Sequence, residues 1–247
     1  MCARKHFMSP LLPNLKRLEQ TLLVVPAGGS VLIRRAIAEF KPNYLFIAVP
    51  QDVSEDVVSG VSQDADAFAR SLNLNMGIDR VPIPRVPIPG VSKDAVIAVR
   101  RAIVTRKGFP LTVNIALLDD APNWLNIVLY STAPIIKALV YEGIGLGAIK
   151  YYTLNDAWDV VEPLCIPITD LGGEAYTVLK LMAKVKGAGA VSADVINAMY
   201  NETGNKVSRG YILKLLNKLI EAKLVERIVS GNMFLYRLTP LGEMLVG

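Results

Sequence analysis

Short, uninterrupted apolar runs separated by stretches of helical period constrain this chain more than any other feature. Leu22-Leu23-Val24-Val25 and Tyr44–Val49 lack the polar alternation that a strand wetted on one face needs, so both read as strands buried on two faces. Pro26-Ala27-Gly28-Gly29-Ser30 interrupts the first run, and Val31, Ile33, Ile37 and Phe40 then recur at helical spacing up to Pro42. The unit repeats. Pro50-Gln51-Asp52 breaks the second strand before a helical stretch over Ser54–Leu72, and Ile78–Ile83 is a third strand. Ser92 caps a helix through Lys107, and Thr112–Leu118 is a fourth strand. The loop Asp119–Asn123 then leads into a long apolar helix ending near Tyr141. Ala148–Leu154 is a fifth strand and Val161–Ile168 is expected as a sixth. This alternation predicts an α/β fold over residues 21–154: a Rossmann-like parallel sheet with helices on both faces.

The last third of the chain has a different grammar. Residues 1–20 read as a flexible extension, 155–171 as a linker, and 172–247 as a small α+β domain. Gly173–Lys186 and a Ser192-capped segment are two helices. Ser208 then caps a third, with Ile212, Leu215, Leu216, Leu219 and Ile220 on one face and Tyr211, Lys214 and Lys218 on the other. Val225–Val229 and Met233–Leu238 follow, joined by Ser230-Gly231-Asn232, a hairpin signal. A basic helix followed at once by a hairpin has the order of the recognition helix and wing of a winged helix-turn-helix. Arg209, Tyr211, Lys214 and Lys218, with Lys206 and Ser208 at the helix start, are the residues expected over a major groove. Arg227, Asn232 and Arg237 are the expected wing contacts.

Charge agrees with that division. From Leu171 onward the chain holds 10 Lys+Arg against 6 Asp+Glu, whereas the residues before it hold 17 against 16, so nearly all of the formal +5 lies in the last third. A basic domain joined to a near-neutral one fits a DNA-binding module with a separate sensor. Several classes are disfavoured. Asn123–Val140 is too polar for a membrane span. The basic N-terminus has no apolar core or cleavage site of a secretory signal, and Cys2, Cys165 and His6 supply neither a disulfide framework nor a zinc site. The expected setting is cytoplasmic, with no membrane and no metal. No paired carboxylates or Ser/His/Asp set can be assembled, so no catalytic residue is expected.

Two loops stand where an open parallel sheet binds ligands, beyond the carboxyl ends of its strands. Gly28-Gly29-Ser30 reads equally as a phosphate cradle at a helix N-terminus or as a plain tight turn. Asp119, Asp120 and Asn123 read as ligand-facing groups or as caps of the long helix. Gly143-Ile144-Gly145-Leu146-Gly147 precedes its strand and opens no helix, so it reads as a helix stop and turn rather than a dinucleotide fingerprint.

The segment TLLVVPAGGSVLIRRAIAEFKPNYLFIAV, the later helix running into AIKYYTL, and the C-terminal helix and hairpin together resemble archaeal CRISPR-associated Rossmann-fold (CARF) regulators. The resemblance covers architecture from Thr21 onward. It implies a homodimer formed through the Rossmann-like domain and a cyclic oligoadenylate, usually the tetramer, bound across the dimer axis. It also implies winged helices acting on double-stranded DNA at CRISPR promoters. By position, it assigns Ala27, Gly28, Gly29, Ser30 and Gln51 on one side, and Leu118, Asp119, Asp120 and Asn123 on the other, to the ligand; no cofactor is implied. The fourth-strand loop departs from the family's small or hydroxyl residues with a Lys or Arg. Two carboxylates facing a polyanion repel it, so Arg34 or another cation compensates, the ligand differs, or the site is degenerate. An enzymatic alternative also follows, since some related sensor domains cleave cyclic oligoadenylate slowly.

Overall fold

The computed structural model describes residues 20–84, 92–106, 111–155, 158–161, 172–185 and 189–246. Its first part is a six-stranded sheet in the order β3-β2-β1-β4-β5-β6. The strands are β1 (Gln20–Pro26), β2 (Tyr44–Pro50), β3 (Gly77–Ile83), β4 (Leu111–Leu118), β5 (Ile144–Tyr152) and β6 (Trp158–Val160), and the first five pair in parallel. The helices between them are α1 (Ser30–Phe40), α2 (Glu55–Ser71), α3 (Lys93–Thr105) and α4 (Asn123–Ala138). The two-sided burial inferred from the apolar runs is visible residue by residue. Leu22 and Val24 of β1 join the core under α3 and α4, while Leu23 and Val25 join the core under α1 and α2. Phe46 and Ala48 of β2 likewise oppose Leu45 and Ile47. Each large side chain removed from water this way contributes roughly 1.5–3 kcal/mol before chain entropy is counted.

Three details depart from the expectations. Gln20, read as part of the extension, is the first residue of β1. The sixth strand is Trp158–Val160, antiparallel to β5 and inside the stretch read as linker. The expected strand Val161–Ile168 lies, beyond Val161, outside the described residues, as do Cys2, His6 and Cys165. The glycine triplet also divides differently. Gly143, with φ 74°, ends the turn after α4, but Ile144–Gly147 are already strand. Glycine is required at 147 because a Cβ there would stand 2.3 Å from Asn114 Oδ1. The β4–β5 register shifts between Val113 and Ile115, and the buried Asn114 accepts the Ala148 N–H at 2.9 Å across that irregularity.

The second part holds α5 (Gly172–Lys184), β7 (Val191–Ser192), α6 (Ala193–Glu202), α7 (Arg209–Glu221), β8 (Val225–Ser230), β9 (Met233–Leu238) and α8 (Pro240–Val246). Its sheet is antiparallel in the order β7-β9-β8, so β8 is an edge. Ser192 and Ser208 each accept a backbone N–H at 3.3 Å, from Val195 and Tyr211, and so cap α6 and α7. The core of this part is continuous with the α3/α4 side of the large sheet, because α8 packs on α3 and α4. Ion pairs Lys93–Glu243 and Lys180–Glu142 flank that contact. None of the described helices is long and apolar enough to cross a membrane.

Candidate functional site

Strand order reverses between β1 and β4, and the crevice of an open α/β sheet opens at the carboxyl ends of that pair. Gly28 and Gly29 face Leu118–Ala121 there. A Cβ on Gly28 would stand 2.7 Å from Asp120 Oδ1 and 3.2 Å from the Ala121 Cβ, and one on Gly29 would stand 2.2 Å from Asp120 Oδ2. The Asp120 carboxylate therefore lies in the notch that the two absent side chains leave. The α1 N-cap is Gly29, in extended conformation, and no side chain hydrogen-bonds to cap the helix. Uncapped first-turn N–H groups and the positive end of the helix dipole thus adjoin a carboxylate of the same chain. The pair of glycines thus has a reason within the fold beside either reading of the loop: a side chain at 28 or 29 would meet the Asp120 carboxylate.

The rest of the loop set is tied down individually. Ala27 donates its N–H to the Ala48 carbonyl at 2.8 Å, fastening the loop to β2. Ser30 turns its hydroxyl to Asp64 of α2. Arg34 donates to Asp64 Oδ2 from Nε at 2.9 Å and makes a second bond to Oδ1 from its terminal nitrogen. Arg34, then Ser30, hold the Asp64 carboxyl below its usual range against the opposing effect of burial. The cation that could offset Asp119 and Asp120 is thus already paired with another acid. Asp119 accepts the Tyr151 phenol at 2.8 Å, which raises that phenol above its ordinary value, and its N–H donates to the Tyr152 carbonyl at 3.0 Å.

None of Asp119, Asp120 and Asn123 caps α4. Its N-cap is Pro122, without a side-chain hydrogen bond. A turn closed by Ala121 N–H to the Leu118 carbonyl at 3.1 Å directs the chain instead, and Asn123 is exposed as the first helical residue. Gln51 stands one strand further out, its N–H on the Ile83 carbonyl at 3.1 Å. It lines a cleft of about 250 Å³ with Glu55 and Arg80, themselves an ion pair at 2.9 Å. The structure thus brings Gly28, Gly29, Leu118 and Asp120 together and sets Gln51 in a neighbouring cleft.

One residue that organises this loop was missed. Asn126 is buried in the first turns of α4 and clamps Leu118 from both sides, accepting its N–H at 3.0 Å and donating to its carbonyl at 2.8 Å. Its signal was an amide inside the run Leu125–Leu129, where a polar group needs a partner.

In the C-terminal unit, the candidates surround the outer side of α7 and the hairpin. Lys206, Ser208, Arg209, Lys214 and Lys218 are exposed. Arg209 pairs with Asp194 of α6 at 2.6 Å. The Tyr211 phenol donates to Glu174 of α5, which raises it above its ordinary value. An open groove of about 760 Å³ between α5 and α7 is lined by Glu174, Tyr211, Lys214, Lys218 and Glu221. On the hairpin, Arg237 pairs with Glu226 at 2.7 Å, Asn232 is exposed in the two-residue tip, and Arg227 lies 4.7 Å from the centre of the Phe234 ring. Among the described residues no group of three His, Cys, Asp or Glu could hold a metal ion.

Fold and site together define an α/β protein with a doubly wound, mostly parallel sheet and a small helical unit carrying a hairpin. No protein family model matches the chain, and no curated protein is similar to it in sequence. Solved structures that align over most of this chain include two at low sequence identity. One is Can2 from Sulfobacillus thermosulfidooxidans in complex with cyclic tetra-adenylate: 9% identity, TM-score 0.34, covering 93% of this chain and 62% of that one. The other is a type III CRISPR defence DNA nuclease activated by cyclic oligoadenylate: 14% identity, TM-score 0.31, covering 91% and 38%. The chain spans less than two thirds of the length of either.

Proposed function

We propose that this chain is a ligand-responsive DNA-binding regulator. Its C-terminal unit acts as a winged helix-turn-helix, with α6 and α7 as the helix pair, α7 in the major groove and the β8–β9 hairpin as the wing. The observation that carries this reading is the Ser208-capped α7, with Arg209, Lys214 and Lys218 on its exposed side, followed directly by the hairpin. The sensor is the Rossmann-like domain, and its ligand is a cyclic oligoadenylate met at the carboxyl ends of β1 and β4. Exposed Val31 and Ile127, on the first turns of α1 and α4 beside that loop, support a second copy docking across it as a homodimer.

Coupling follows the long axis of α4. The helix runs from the Asp120 loop for 16 residues, about 24 Å, and the turn after it carries Glu142, which meets Lys180 of α5. A ligand that displaces Asp120 and shifts α4 would move α5, and with it α7. The regulator binds its ligand without cleaving it. Fluorescence anisotropy with duplex DNA from upstream of the gene tests the DNA-binding half. Affinity that falls linearly with the logarithm of salt supports it, and no salt-dependent binding overturns it.

A further inference from the structure

The β8–β9 hairpin carries a face that is covered only at its base. Val225, Arg227 and Val229 of β8 lie opposite Leu238, Tyr236 and Phe234 of β9, and cross-strand partners share one side of a ladder. At the base, Val225, Tyr236 and Leu238 are buried. Towards the tip the same face runs out beyond the core, leaving Val229 70% and Phe234 52% exposed. Val229 is the most exposed large apolar side chain of the described residues. The charges differ between the two faces. Arg237, on the opposite face, is neutralised by Glu226. Arg227, on the apolar face, stacks on Phe234 and has no carboxylate partner among the described residues. A cation set among apolar side chains, with no acid, fits a polyanion that also offers flat apolar surface.

We propose that the hairpin is an apolar wedge for double-stranded DNA. It enters the minor groove, where Phe234 and Val229 part a base step and Arg227 lies in the groove beside them. The inference rests on the DNA-binding reading above and goes beyond it, because a wing that only touches phosphates leaves the duplex straight. Side chains such as Phe, Leu and Met inserted between steps kink DNA towards the major groove, and an arginine gains most where the minor groove is narrow. The inserting residue is therefore Phe234, and A·T-rich steps are the preferred point of entry.

The test uses the full-length chain with duplexes of about 30 base pairs, A·T-rich or G·C-rich at the centre and dye-labelled at both ends, so that bending is read as energy transfer while binding is read as anisotropy. Wild-type protein is expected to raise transfer on the A·T-rich duplex. Phe234→Ser should abolish that rise and weaken binding roughly tenfold, while Phe234→Leu, which keeps an apolar wedge, should retain both within about threefold. Binding without bending overturns the wedge and leaves the regulator reading standing. No binding to either duplex overturns both. If Phe234→Ser changes the self-association of the protein and leaves the bend intact, the face belongs to a second copy and the proposal fails.

Discussion

Asp120 Oδ2 lies 2.2 Å from where a side chain on Gly29 would begin, so the carboxylate of one loop fills the notch of the other. The notch opens on the uncapped first turn of α1, the position from which backbone N–H groups would meet a phosphate. An anionic ligand at this crevice must move Asp120 or endure its charge. Asp120→Asn keeps the shape and removes the charge. Two like charges about 4 Å apart near a surface repel by roughly 4 kcal/mol before screening. The substitution is therefore expected to tighten cyclic tetra-adenylate binding by roughly tenfold or more, measured by titration calorimetry. An unchanged or weaker affinity would show that the ligand does not approach Asp120.

Asn126 holds the same loop from beneath. Asn126→Leu removes both bonds to Leu118 and leaves its buried N–H unpaired, while its carbonyl keeps the Ala121 N–H, a loss of roughly 1–3 kcal/mol. Denaturant unfolding should register that loss. Asn126→Asp keeps the side-chain volume but sets an acceptor oxygen against the Leu118 carbonyl, so it too should be destabilising if the hydrogen bonds rather than the volume are responsible.

Gly242 packs in a different way. A Cβ there would stand 2.1 Å from the Leu224 carbonyl oxygen, a backbone atom that cannot rotate aside as the Asp120 side chain can. Gly242→Ala is expected to cost about 1–3 kcal/mol by pushing α8 off the α7–β8 junction, whereas Gly29→Ala should cost less. Thermal melts of the two variants give the comparison, and equal losses would contradict it.

The apolar runs of β1 and β2 made the parallel sheet and its two covered faces legible, because burial on both sides leaves no polar alternation to read. Ser92, Ser192 and Ser208 were equally legible as caps, since capping depends on a residue and its third neighbour alone. What escaped depends on pairs distant in sequence. The start of β5 at Ile144 rests on Asn114 and Gly147, which meet only when β4 and β5 pair. The place of Asp120 rests on Gly28 and Gly29, some 90 residues earlier in the chain. The pairing of Arg34 with Asp64 likewise joins two helices, and it removes a cation that sequence alone leaves free for a ligand.

Glu39 gives the fold a pH dependence. Burial raises its carboxyl, but hydrogen bonds from Lys150 and Tyr152 outweigh that and hold it below the ordinary value of 4.5. Burial first, then the Glu39 carboxylate, pushes the Tyr152 phenol far up, so it stays protonated and donating. A depressed carboxyl contributes stability that is complete above its unfolded value and is lost as pH falls through its folded value. Glu39→Gln should therefore flatten the acid limb of the stability curve below about pH 4.5. A wild-type acid limb in the variant would mean that the Glu39 contacts do not carry it.

If a ligand at one end of α4 is coupled to DNA at α7, as proposed, linkage requires each to change the affinity of the other by the same factor. The most direct measurement is the affinity of the full-length protein for duplex DNA from upstream of its gene, by anisotropy at fixed salt, with and without saturating cyclic tetra-adenylate. A ligand-induced change of roughly fivefold or more, abolished in Glu142→Gln while both single affinities persist, is the predicted result. DNA affinity that is identical with and without bound ligand would contradict it.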